Sequence, residues 1–137
     1  MSEQNKALMK RWFNEVWNQG KGSTIDELFH PQGKVHGFPE PTSILIGPEG
    51  FKTAHRQFHT IFGNIHIEIH DLVAEGDRVA TRWTATAIHT GDGLGFPATG
   101  KNSSLPGASF IVCRNGQITE AWNFLDMTKL ILDLQKK

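Results

Sequence analysis

Hydrophobic and polar positions follow two different periods along the chain. Between residues 3 and 18, Leu8, Met9, Trp12, Phe13, Val16 and Trp17 recur at spacings of three and four, with Lys6, Lys10, Arg11 and Glu15 off that stripe. This predicts an amphipathic helix, which Gly20 and Gly22 stop. Thr24 and Glu27 form a capping-box pattern that opens a short second helix over 25–29, ended by Pro31 and Gly33. A short strand over 34–38 is broken by Phe38-Pro39-Glu40-Pro41, and Gly47-Pro48-Glu49-Gly50 opens a third helix whose stripe is Phe51, Ala54, Phe58, Ile61 and Phe62. Beyond it the period drops to two. Ile65, Ile67 and Ile69 alternate with His66, Glu68 and His70, a half-buried strand. A turn at Glu75-Gly76-Asp77, a long strand over 78–90, a glycine-rich loop over 91–100 and a strand over 104–113 follow. Asn115-Gly116 signals a tight hairpin leading into a strand over 118–125, and a last helix spans 127–135. Helices first and strands afterwards predict a single α+β domain over residues 1–137: a curved antiparallel sheet covered by three N-terminal helices, with a short C-terminal helix.

The hairpin allows a register to be worked out. If Arg114 faces Gln117, then Cys113 faces Ile118 and Ser109 faces Trp122. One face then carries Ile111, Ser109, Gly107, Trp122 and Phe124; the other carries Val112, Phe110, Ala108, Ala121 and Leu125. Both are apolar, so the face not covered by helices needs another cover, and a two-fold homodimer packed sheet on sheet supplies one. A single bulge would exchange the two faces.

Composition narrows the function. In 137 residues, Lys plus Arg and Asp plus Glu number 14 each, which gives no electrostatic basis for binding nucleic acid or an anionic membrane. No apolar run approaches the roughly 20 residues of a spanning helix. The opening MSEQNKALMKRW has no apolar signal core, and a lone Cys113 fits a reducing cytoplasm. There is no tyrosine. Large aromatics (Phe13, Trp17, Phe58, Trp83, Trp122, Phe124) set against small Gly107, Ser109 and Ala85 fit either a solid core or an aromatic pocket.

Several segments, in order, carry a resemblance: WFNEVWNQG, IDELF with a following strand bearing His36, GPEGF, DLVAEGDRVATRWTATAIHTGDGLGFPATGK, and ITEAWNFLD. Together they resemble the SnoaL-like polyketide cyclases, within the superfamily shaped like nuclear transport factor 2. The resemblance implies a cone-shaped fold enclosing a pocket for a small apolar or aromatic ligand. It also implies a cofactor-independent cyclase-type reaction that uses one aspartate as general acid/base, and the matching position is Asp126. If Asp126, Phe124 and Trp122 share a face, the carboxyl sits among aromatic rings and its pKa rises; the alternative is that Asp126 caps the last helix. His36 is the second candidate, as a ligand-orienting or proton-shuttling group, against a purely structural role.

On the long strand, Trp83 shares parity with Thr81, Ala85, Ala87 and His89, so Trp83 rather than Arg82 is expected inside. The expected ligand pocket is Phe13, Trp17, Phe58, Trp83, His89, Ser109, Trp122 and Phe124. His66, Glu68 and His70 stand roughly 7 Å apart along a strand, too far for adjacent metal ligands, and His55 and His59 lack the zinc-helix motif; no metal and no cofactor are expected. Without tyrosine, ketosteroid-isomerase-like and scytalone-dehydratase-like sites lose their donors, and an epoxide-hydrolase-like site lacks its second strand aspartate. The readings left open are a cyclase-type enzyme and a non-catalytic ligand-binding or dimerisation domain.

Overall fold

The computed structural model describes residues 2–136. Helix α1 (Ser2–Trp12) continues into a π-helical turn, Phe13–Asn18. Asn18 pins that turn to the sheet: its Nδ2 donates to the Ile67 carbonyl (3.2 Å), and its Oδ1 accepts from the Ile67 N–H (2.6 Å). Helix α2 (Ser23–Leu28) starts two residues earlier than expected and lacks the predicted capping box. Thr24 is buried and gives its hydroxyl proton to Glu15 (2.7 Å), while Glu27 makes a two-pronged pair with Arg11 (2.5 and 2.8 Å). A bidentate charge-assisted pair outcompetes a single cap hydrogen bond. Helix α3 (Gly47–Ile61) opens with Pro48 in its first turn, as its sequence requires.

The sheet has six strands: β1 (Phe29–His36), β2 (Ile44–Ile46), β3 (Phe62–Glu75), β4 (Arg78–His89), β5 (Asn102–Arg114) and β6 (Gln117–Leu125). Their order is β2-β1-β6-β5-β4-β3, so the curved sheet stays open, with β2 and β3 at its edges. Every neighbouring pair is antiparallel except β1 and β6, which run parallel. At that pair β1 enters from α2 beside a strand far along the chain, a pairing no hairpin constrains.

Asn115 and Gly116 take positive φ (53° and 77°), as a tight hairpin turn needs. Arg114 faces Gln117 and Cys113 faces Ile118, as the register predicts. Beyond that, β6 holds one extra residue at Thr119, so Val112 faces Glu120 and Ser109 faces Asn123 rather than Trp122. One inserted residue turns every later side chain of β6 over. Ala121, Asn123 and Leu125 point toward the helices; Trp122 and Phe124 lie on the outer face, where Phe124 is 59% exposed.

The helical stripe of Met9, Trp12, Phe13, Val16 and Trp17 packs on Val79, Trp83, Ile111, Ile118 and Ala121 of the inner face. Helix α4 (Met127–Gln135) lays Leu130 and Leu134 against Phe62 and Leu105. The glycine-rich loop is tied down at its root: the His89 N–H donates to the Lys101 carbonyl and the Gly100 N–H to the His89 carbonyl, each at 2.9 Å. Leu94 and Phe96 of the loop pack on the Phe62–Leu130 cluster. Among the described residues, no helix is long and apolar enough to cross a membrane.

Candidate functional site

Between the helices and the inner face lies a cavity of about 110 Å³. That is near the ~150 Å³ of an apolar protein cavity known to admit benzene, a one-ring scale. Rings from α1, its π-helical turn and α3 form one wall: Trp12, Phe13, Trp17, Phe51 and Phe58. Trp17 meets Phe38, Phe51 and Phe58 edge-on, at centroid separations of 5.6, 6.0 and 6.1 Å. The opposite wall is the sheet, from Trp83, Ala85 and Ala87 of β4 to Ala121, Asn123 and Leu125 of β6. Gly107 makes this wall possible. A Cβ there would lie 2.4 Å from the Trp83 ring, so the indole lies flat only over a residue without one.

The wall carries few polar groups. Ser103 gives its hydroxyl proton to the Ala87 carbonyl (3.0 Å). Trp83 Nε1–H donates to Ser109 Oγ (3.1 Å), and Ser109 Oγ–H donates to Asn123 Oδ1 (2.6 Å). No Asp, Glu, His, Lys, Arg or Cys lines the cavity among the described residues. Cys113 is buried nearby in the core, and burial pushes its thiol up to about 12, which leaves it protonated and unreactive.

Of the residues singled out from sequence, Phe13, Trp17, Phe58, Trp83 and Ser109 lie together on the wall. Trp83 points inward, while Arg82 faces outward and pairs with Asp71 (2.7 Å). His89 is fully buried on the same strand face, beyond Ala87, but does not line the cavity. Its Nδ1 accepts from the Thr99 N–H (3.1 Å) and contacts Thr99 Oγ1 (3.0 Å), and its ring packs on Phe62 and Phe96, so it anchors the glycine-rich loop.

Trp122 and Phe124 are corrected to the outer face by the Thr119 bulge. Asp126, expected beside them, is exposed at the start of α4, where its Oδ1 accepts from the Lys129 N–H (2.9 Å); the helix-cap alternative describes its place. His36 also stands on the outer face. It stacks on Trp122 (5.3 Å, 10° between planes) and shares a 2.7 Å hydrogen bond with Glu120. The structure therefore does not bring Asp126 or His36 to the cavity. His70 and Thr84 form a 2.7 Å hydrogen bond on the exposed face of β3 and β4, and among the described residues no three His, Cys, Asp or Glu side chains gather as a metal site would require.

Sequence reasoning missed Asn123. It shares parity with Ala121 and Leu125, which pointed to an apolar face, but the unmarked bulge assigned that face to the wrong side of the sheet.

The profile of the SnoaL-like polyketide cyclases matches residues 7–134. Among solved structures, a candidate SnoaL-like polyketide cyclase from Jannaschia sp. CCS1 superposes with a TM-score of 0.89 at 20% identity, over 100% of this chain and 95% of that one. TsrD from Streptomyces laurentii superposes with a TM-score of 0.83 at 26% identity, covering 97% and 96%. IdmH from Streptomyces antibioticus, a candidate polyketide cyclase, gives 0.83 at 26% identity, covering 97% and 99%. No curated protein matches the chain significantly.

Proposed function

The chain belongs to the SnoaL-like polyketide cyclase family, and within it we propose that this member binds a small, neutral, one-ring apolar or aromatic molecule in the cavity without a side-chain acid or base acting on it. The observation that carries this reading is the chemistry of the wall: aromatic and aliphatic groups, one thioether, two serines and one amide, with no ionisable side chain among the described residues. A cyclase-type reaction driven by Asp126 needs that carboxyl against the ligand, and its position as an exposed helix cap supports the binding reading instead. An uncharged wall disfavours any ligand that would bring an unpaired charge out of water.

The same domain pairs with a second copy through the outer sheet face. Phe110 and Phe124 are 55% and 59% exposed and meet edge-on at 6.2 Å, beside the Trp122–His36 stack. Exposed aromatic rings clustered on a sheet are what a sheet-on-sheet dimer buries.

The test of binding is a thermal-shift series. Styrene-sized hydrocarbons should raise Tm in proportion to ln(1 + [L]/Kd), whereas benzoate and benzylamine at the same concentrations should not. Equal stabilisation by the charged analogues would contradict the reading.

A further inference from the structure

We infer that the cavity selects its ligand by polarity: it takes a molecule carrying a hydrogen-bond acceptor, such as a ketone, ester or ether oxygen, and reads that atom with Asn123 Nδ2. This rests on the cavity-binding reading and adds to it the chemical class of the ligand.

Trp83, Ser109 and Asn123 share the wall. Trp83 is buried, and its indole Nε1–H can only donate. It donates to Ser109 Oγ at 3.1 Å, so that oxygen is already an acceptor. The hydroxyl has one proton to give, and gives it to Asn123 Oδ1 at 2.6 Å. Ser109 is 2% exposed and held in this relay between both partners, with its one proton given to Asn123 Oδ1. That donation fixes the amide. Its oxygen is taken up by Ser109, and its NH2 is left as the free end. Asn123 Nδ2 donates to no group among the described residues, and the side chain is half-buried on the cavity wall. The other wall hydroxyl, Ser103, is turned away to the Ala87 carbonyl.

A ligand in this cavity therefore meets apolar rings and one amide donor with no protein partner among the described residues. An acceptor oxygen satisfies that donor. A hydrocarbon of the same shape leaves it unpaired, and a ligand whose polar group can only donate leaves it unpaired too. A site built around a polar partner discriminates against analogues lacking it, because a ligand that covers the donor without accepting from it leaves that group cut off from water and unsatisfied. Neutrality matters too: the relay supplies no proton acceptor, so it orients a carbonyl without enolising it.

The experiment uses two near-isosteric probes, acetophenone and α-methylstyrene, titrated into the full chain by tryptophan fluorescence and calorimetry. The wild type should bind the ketone about tenfold more tightly than the alkene. Asn123→Leu should lose that preference, weakening the ketone about tenfold more than the alkene, with a cooperative urea transition showing that the variant folds. Should Asn123→Leu lack a cooperative unfolding transition, Ser109→Ala gives the second test, since an amide no longer held by the hydroxyl should lose most of the preference. Equal affinities in the wild type, or a ketone preference that survives these substitutions, would overturn the polarity assignment while leaving cavity binding standing. Failure of both probes to bind the wild type would instead remove the cavity-binding reading and this inference with it.

Discussion

Replacing Asn123 with aspartate changes almost nothing in shape and puts one ionisable group where the wall has none. The Ser109 hydroxyl can still donate to the new Oδ1, as it does to the amide oxygen at 2.6 Å. One hydroxyl is little compensation among Trp83, Ala121 and Leu125, so desolvation dominates and raises the carboxyl above its ordinary value of about 3.9. A rise of about two to three pH units makes Asn123→Asp roughly 3–4 kcal/mol less stable than wild type at pH 8. The sign follows from proton binding. The folded variant holds its proton to higher pH than the unfolded chain, so the penalty is absent below about pH 4 and grows as pH rises toward the folded value near 6–7. Against a typical total of 5–15 kcal/mol, that loss is easily measured. Urea unfolding of wild type and variant at pH 4.5 and pH 8 is the assay. The difference between the two proteins should be within about 1 kcal/mol at the lower pH and several-fold larger at the higher one. An equal difference at both pH values would mean that position 123 is well solvated, and would refute the description of the wall as dry and apolar.

Other outcomes follow from the same structure. Gly107→Ala places a Cβ 2.4 Å from the Trp83 ring and should cost about 1–3 kcal/mol in chemical denaturation; a neutral substitution would show that the indole is free to move. Asp126→Ala removes the α4 cap and should cost about 1 kcal/mol, with ligand-induced Tm shifts unchanged; loss of ligand uptake would return Asp126 to the site. His55 is buried, which holds it below its ordinary 6.5 despite its hydrogen bond to the Val16 carbonyl, with His59 and Arg56 adding to the depression. Its contribution to stability is therefore complete above about pH 6.5 and is lost as pH falls toward the folded value; Tm measured at pH 7.5 and 5.5 should drop less in His55→Gln than in wild type. Phe124→Glu should convert a dimer to a monomer by light scattering at micromolar concentration, and a monomeric wild type would contradict the outer-face interface.

The helices were legible because a stripe such as Leu8, Trp12 and Val16 repeats with the helical period whatever it packs on. The hairpin was legible because few dipeptides adopt two positive φ values as readily as Asn115-Gly116. Trp83 could be placed inside because Thr81, Ala85 and Ala87 share its parity. The candidate site was not legible as a unit, since it depends on one extra residue at Thr119. A bulge is a backbone event that leaves no compositional mark on a strand reading Gln-Ile-Thr-Glu-Ala-Trp-Asn-Phe-Leu. Missing it moved Trp122, Phe124 and Asp126 inward on paper and hid Asn123. The three-residue strand β2 also escaped notice, because it is short and its residues Ile44 and Ile46 are exposed, leaving only Leu45 to pack on the core.

The central claim is that an uncharged aromatic cavity holds a small neutral ligand, and a crystal structure of the protein soaked with acetophenone tests it most directly. Ordered density is expected inside the cavity, with the ring among Trp17, Phe38 and Phe58 and the carbonyl oxygen within hydrogen-bond distance of Asn123 Nδ2. Density confined to the outer sheet face or beside Asp126, with the cavity empty of ligand, would contradict it.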